Sequence, residues 1–157
     1  MTSYVLEIIA FIFGTCIGSF LNVCIYRLPA SKSIVHPRSM CPACGTLIRF
    51  YDNIPILSYL VLKGKCRHCA EGISFRYPVI EFISGIFAAG VYIKFGLGFE
   101  ALIYYTFIAV LLVITAVTLR TVITCNEIWL VHTTTLGTLI ICSLLIPGHH
   151  EAQEPAF

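Results

Sequence analysis

Long apolar runs alternate with a single polar insertion. Residues 4–26, 78–95, 101–119 and 128–146 are almost unbroken apolar stretches. Each is close to the length a helix needs to cross about 30 Å of hydrocarbon at 1.5 Å per residue. The pattern predicts four membrane-spanning helices. Between the first two lies the insertion, residues 27–77, where Pro29, Pro37, Pro42 and Pro55 argue against a long helix in its first half. A short apolar run interrupts it at residues 54–62, with Ser58 inside. This run predicts a short helix or hairpin, either packed on the centre of the insertion or lying at the membrane surface. Gly96 and Gly98 turn the chain between the second and third spans, and residues 121–127 read as a connector. Trp129 stands at the entry of the fourth span, where an aromatic belt residue belongs. Pro147 and Gly148 close that span, and residues 149–157 read as a polar, disordered tail outside the membrane.

Composition agrees with the pattern. The 157 residues are 58% hydrophobic and 11% charged, against about 25% charged in a soluble domain. Mean hydropathy is +0.90. The net charge of +2 says little, but its distribution says more: eight of the ten Lys and Arg fall between Arg27 and Arg76. Short basic loops stay on the cytoplasmic side, which predicts a cytoplasmic insertion and both termini outside. The first run lacks a basic leader, carries Glu7 early and has its positive charge after it, so it reads as a span and not a signal peptide. The expected class is an all-α polytopic membrane protein with about four transmembrane helices. The divisions are a first span to residue 26, a small cytoplasmic domain at 27–77, three further spans at 78–148 and the tail. No Gly-rich phosphate loop or dinucleotide fingerprint is present. The basic residues flank spans, so topology explains them and nucleic acid is not needed as a partner.

The insertion carries the clearest chemistry. Cys41/Cys44 and Cys66/Cys69 form two Cys-x-x-C pairs separated by about twenty residues, the spacing of a four-thiolate metal site. In a reducing compartment such pairs favour metal ligation over a structural disulfide. Four thiolates complete a tetrahedron and leave no open position, so the expected role is a structural zinc, with Lys65 and Arg67 offsetting its negative charge. Spacing alone does not separate zinc from iron. A thiol redox device is the competing reading, disfavoured by the doubled pair and the missing βαβ pattern. Cys16, Cys24, Cys125 and Cys142 are scattered and read as small hydrophobes.

Inside the spans, Gly14 and Gly18 form a Gly-x-x-x-Gly stripe continued by Asn22, suited to close helix approach and a hydrogen bond across the contact. Glu81 lies about one and a half turns inside the second span, a costly place for a carboxylate and hence a candidate site. Asn22 sits at a similar depth, which predicts that the two face each other or share a polar cavity. In the alternative, Glu81 snorkels out and pairs with Arg76. His132 and the Thr133–Thr135 run read as structural hydrogen-bonding groups.

Several stretches together resemble the bacterial type IV prepilin peptidases, the leader peptidase/N-methyltransferases. These are GSFLNVCIYRLP at 18–29, RSMCPACG at 38–45, YDNIPILSYL at 51–60, GKCRHC at 64–69 and ISFRYPVIE at 73–81. LRTVITCNEI at 119–128 matches more loosely. The resemblance implies a polytopic inner-membrane aspartic protease that removes leaders from prepilins and pseudopilins of type IV pili and type II secretion systems, then methylates the new amine. It makes the four-cysteine segment the family's zinc-binding domain. Two departures stand against the activity. The family's first catalytic aspartate opens a D-L-[KR]-T motif, and here Thr118 holds that position, with Cys125 at the motif's proline. The second aspartate belongs to a Gly-x-Gly-Asp motif in a later span, which these residues do not contain; Asp52 is the only aspartate in the chain. Aspartic proteolysis needs two carboxyls sharing a proton, and a threonine hydroxyl cannot serve as its base. Glu81 and Glu127 do not occupy the catalytic positions. The expectation is therefore a truncated family member without protease activity. S-adenosylmethionine is its cofactor only where methyl transfer persists. The alternative is a non-catalytic zinc-stapled module that binds prepilins or an assembly partner. An incomplete bundle also leaves faces for a partner chain or a second copy.

Overall fold

A computed structural model describes residues 2–125. Four helices follow one another: α1 (Thr2–Arg27), α2 (Leu57–Val61), α3 (Arg76–Phe95) and α4 (Phe99–Cys125), with 3-10 turns at Leu28–Ala30 and Phe50–Asn53. Among the described residues α1, α3 and α4 are long and apolar enough to cross a membrane. Two isolated antiparallel bridges, Met40 with Leu47 and Lys65 with Gly72, are the extended pairings described. The fold is thus helical and polytopic. The fourth expected span at 128–146, with Trp129, His132 and Thr133–Thr135, and the tail lie outside the described residues.

Two boundaries differ from the sequence pattern. α3 starts at Arg76, before Pro78, because a proline in the first helical turn lacks only an amide that needs no partner there. α4 continues to Cys125 through the segment expected to be a connector. Nothing between Leu119 and Cys125 breaks a helix.

Glycines set how closely α1 and α3 approach. A Cβ on Gly14 would sit 2.5 Å from Ala88 Cβ, and one on Gly18 would sit 2.7 Å from Glu81 Cα. From the other helix, a Cβ on Gly85 would meet Thr15 Cγ2 at 2.7 Å. Each substitution would push the backbones apart. The contact is polar as well as small: Ser84 Oγ donates to Gly14 O at 2.8 Å and lies 2.8 Å from the Tyr105 hydroxyl of α4. Towards the insertion, Leu21, Ile25, Ile80 and Ala109 form an apolar core, with Ile17, Leu112, Val113 and Ala116 packed around it. This three-helix seam is the floor on which the insertion rests.

Candidate metal centre and its anchorage

The two Cys-x-x-C segments fold alike. In the first, the amides of Cys41, Gly45 and Ile48 bond to the carbonyls of Thr46, Cys41 and Ser39. In the second, the amides of Cys66, Ala70 and Ile73 bond to the carbonyls of Glu71, Cys66 and Gly64. Each of these three main-chain bonds has its counterpart at the same place in the other knuckle, and both turn through a left-handed residue, Gly45 at φ 67° and Ala70 at φ 56°. The two Cys-x-x-C segments are thus a short repeat of the backbone. Pro42-Ala43 and Arg67-His68 share no chemistry, so in sequence the repeat is marked only by its ligands.

The knuckles bring the four sulfurs together. Cys41, Cys44, Cys66 and Cys69 Sγ all lie within 4.8 Å of one another, and Cys41 Sγ is 3.7 Å from Cys69 Sγ. Bonds of 2.3 Å to a tetrahedral ion set its sulfurs about 3.8 Å apart, whereas a disulfide needs about 2.05 Å. None of these four cysteines is in a disulfide. The donor set fits a metal ion and is closed to further ligands. The thiols are not equivalent. Hydrogen bonding with the Thr46 side chain, whose Oγ1 is 3.3 Å from Cys44 Sγ, and with the Thr46 amide holds Cys44 down at about 6. Amide hydrogen bonds from Cys69 and His68 lower Cys66. Cys69 accepts from the Glu71 amide, yet burial and the three neighbouring thiols push it to about 12. A dication holding four thiolates would displace that last proton.

Three ties fasten the centre. Arg27, buried at the end of α1, donates from Nη1 to Ser33 O at 2.8 Å and from Nη2 to Pro37 O at 2.7 Å. Arg67 forks onto Asp52, with Nε 2.8 Å from Oδ2 and 3.1 Å from Oδ1. Arg67, expected to balance the thiolates, therefore has a carboxylate partner of its own. The third tie reaches the membrane helices: Glu81 Oε2 accepts from the Ile56 amide at 2.8 Å. Ile56 has φ 61° and ψ −51°, and Leu57 N bonds to Pro55 O across it at 2.5 Å. This is the rare γ-turn with positive φ, strained for a β-branched residue. Ser58 braces it, its Oγ donating to Tyr51 O and accepting from Ile54 N, both at 3.0 Å. No sequence signal marks such a turn, since its central residue is one that avoids positive φ.

The remaining candidates are placed as follows. Gly14 and Gly18 line the α1–α3 seam. Asn22 is 1% exposed and Glu81 is 7% exposed. They bond to different backbone groups: Asn22 Nδ2 donates to Tyr77 O at 3.0 Å, while Glu81 takes the Ile56 amide. Asn22 Oδ1 is buried without a partner among the described residues. Thr118 is half-buried on α4. Glu127 lies outside the described residues. A cavity of about 500 Å³ opens between α1 and the insertion, lined by Cys16, Ser19 and Val23 on one side and Ile48, Asn53 and Pro55 on the other.

Comparison with known proteins covers this same region. Residues 12–95 match the family described as Bacterial Peptidase A24 N-terminal domain. A prepilin leader peptidase/N-methyltransferase of Myxococcus xanthus is 48% identical over 90 residues, covering 57% of this chain and 27% of the relative. The protein of that name from Bacillus subtilis is 44% identical over 110 residues, covering 70% of this chain and 44% of the relative. That from Vibrio cholerae is 47% identical over 97 residues, covering 57% and 38%. The chain thus spans less than half the length of these curated relatives. No solved structure matches it.

Proposed function

The chain belongs to the bacterial A24 peptidase family through residues 12–95, and from that premise we propose that it is an inner-membrane protein of the prepilin leader peptidase/N-methyltransferase group whose 157 residues engage prepilins or pseudopilins but do not by themselves cut them. In this reading the cysteine insertion is cytoplasmic, as the clustering of Lys and Arg between Arg27 and Arg76 supports. Cys41, Cys44, Cys66 and Cys69 hold one structural zinc, whose chemistry is to staple the insertion by filling a tetrahedron of thiolates. Gly14, Gly18, Asn22 and Glu81 shape the contact between the first two spans.

One observation carries the non-proteolytic part. The single aspartate, Asp52, is bound bidentately by Arg67 beside the metal centre. It is therefore not poised to share a proton with a second carboxyl, as the aspartic mechanism requires. Thr118, at the position of the family's first aspartate, offers a hydroxyl that stays protonated at neutral pH. Incubating the purified chain in detergent or vesicles with a prepilin peptide spanning the leader junction tests this. The expected result is no cleavage at that junction, with retention of prepilin in a pull-down that Cys66→Ser abolishes. A specific cut at the leader junction by these 157 residues overturns the reading.

The cavity beside α1 favours a second reading, a module that docks an assembly partner of the pilus or type II secretion machinery. Capture of such a partner in preference to prepilin would select it.

A further inference from the structure

We propose that residues 50–61, between the two knuckles, form a re-entrant wedge seated in the headgroup and upper acyl region of the membrane leaflet on the cysteine side, with Leu57, Leu60 and Val61 facing lipid. The inference uses the spanning of α1 and α3, not the reaction.

Depth is the first observation. The Ile56 amide bonds to Glu81, and Glu81 lies about 7–8 Å of helix rise inside Arg76. Across the seam Glu81 is level with Gly18, about 13 Å of rise from Arg27 at the end of α1. Asn53 and Pro55 line one cavity with α1 residues from Cys16 to Arg27, so the insertion also lies along the last turns of that helix. The Pro55–Leu57 backbone is thus well below the charged helix ends, at a depth where interfacial helices settle about 5–10 Å into the headgroup–acyl boundary.

The exposed face is the second. Leu57, Leu60 and Val61 follow the i, i+3, i+4 spacing of one helix face and are 59%, 64% and 73% exposed. The opposite side of α2 is half-buried against the rest of the insertion: Ser58 bonds to Tyr51 O, and Tyr59 packs against Phe75 with ring centroids 6.1 Å apart. A water-facing helix reverses this arrangement. Phe50 and Ile54, also exposed, extend the apolar surface.

Satisfied backbone and charge are the third. Non-helical backbone at membrane depth survives only when its polar groups find partners inside the protein. Here Ile56 N has Glu81, Leu57 N has Pro55 O and Ile54 N has Ser58 Oγ. Lys63 follows α2 and Arg76 opens α3, placing cations where anionic headgroups lie.

The test uses the full chain in phosphatidylcholine/phosphatidylglycerol vesicles, with Trp129→Phe as background and one added tryptophan at a time. Leu60→Trp and Val61→Trp probe the wedge, Ile9→Trp the lipid-facing side of α1 and Glu71→Trp the second knuckle. Zinc content reports that each variant is folded. The expected result is blue-shifted emission for both wedge probes, quenched severalfold more by headgroup-proximal brominated lipid than by aqueous iodide, with the reverse for Glu71→Trp. Adding Glu81→Leu should raise the iodide quenching of Leu60→Trp by releasing the turn. Wedge probes as open to iodide as Glu71→Trp would overturn the proposal. So would probes shielded from both quenchers, which would mean cover by protein, and so would an Ile9→Trp untouched by lipid, which would remove the membrane premise itself.

Discussion

In the first knuckle the chain turns left-handed through Gly45; in the second it makes the same turn through Ala70. The hydrogen bonds around them are matched donor for donor, but what holds each knuckle in place differs. The segment leading into the first is held by Arg27 at the end of α1, through the carbonyls of Ser33 and Pro37. The second is gripped from the side, by Asp52 on its own Arg67 and by Tyr59, whose hydroxyl would lie 2.9 Å from a Cβ on Gly64. Ligand geometry therefore fixes the frame, and the neighbours decide only how the frame is moored. The four sulfurs are the joint between a knuckle tied to one membrane helix and a knuckle tied to the segment that Glu81 of another helix holds.

The largest effect comes from breaking that joint. Cys41→Ser and Cys66→Ser should be equally damaging despite the different moorings, each reducing bound metal from about one ion per chain towards none. Loss of a structural metal removes several kcal/mol of folding free energy. Hydrogen exchange across residues 38–74 should rise in both knuckles for either variant, and a strong chelator should reproduce it. Collapse of the mutated knuckle alone would show that the halves fold separately.

Next comes the turn residue. A Cβ on Gly45 meets nothing within 4 Å, so Gly45→Ala pays only the left-handed backbone cost, about 1–2 kcal/mol. The second knuckle already bears that cost at Ala70, so Ala70→Gly should stabilise by up to about 1 kcal/mol. Chelator challenge or thermal melting of the metal-loaded chain measures both, and opposite signs are expected. Equal signs would mean that the matched hydrogen bonds conceal different turn energetics.

A smaller difference lies at Thr46 and its counterpart Glu71. The Thr46 hydroxyl and amide hold Cys44 at about 6, so at pH 7 in metal-free protein Cys44 is mostly thiolate. Thr46→Val should raise this thiol towards the ordinary range and slow its alkylation at pH 7. The matching change, Glu71→Gln, should leave Cys69 unaltered, because the group bonded to that sulfur is the Glu71 amide, which the substitution keeps. In the unmodified chain, acidification through pH 6 adds Cys44 to the thiols a metal must deprotonate, so affinity should fall more steeply below that pH.

Much of this was legible from sequence because it rests on composition and spacing. Spans are read from uninterrupted apolar runs, and the knuckles from the two Cys-x-x-C pairs. What was not legible depends on contacts between distant residues. The knuckles match beyond their ligands only through main-chain hydrogen bonds, which any side chain can make. The γ-turn centres on Ile56, whose branched side chain argues against positive φ; it persists because Glu81 accepts the amide that the turn directs at it. Depth along the chain placed Glu81 near Asn22, but partner choice was decided by which amide the insertion delivers, and no count of residues along α3 contains that information.

Asp52 gives the smallest and most selective effect. Its carboxylate lies under Arg67, which is 46% exposed, while Asp52 itself is 9% exposed. Arg67 holds the Asp52 carboxyl below the usual carboxylate range, chiefly through this hydrogen-bonded fork. A carboxyl depressed on folding contributes stability above its unfolded value of about 3.9 and loses it as pH falls through its lower folded value. Asp52→Asn should therefore weaken the second knuckle at pH 7 by less than Gly45→Ala weakens the first. The deficit should shrink in high salt, because half of the pair is in solvent, and it should vanish once acid has protonated the wild-type carboxyl. Exchange rates in residues 64–73 should rise while those in residues 39–48 hold steady. A deficit that persisted unchanged into acid would assign Asp52 a packing role instead, and one that spread to the first knuckle would mean that the metal transmits the loss of either mooring to both.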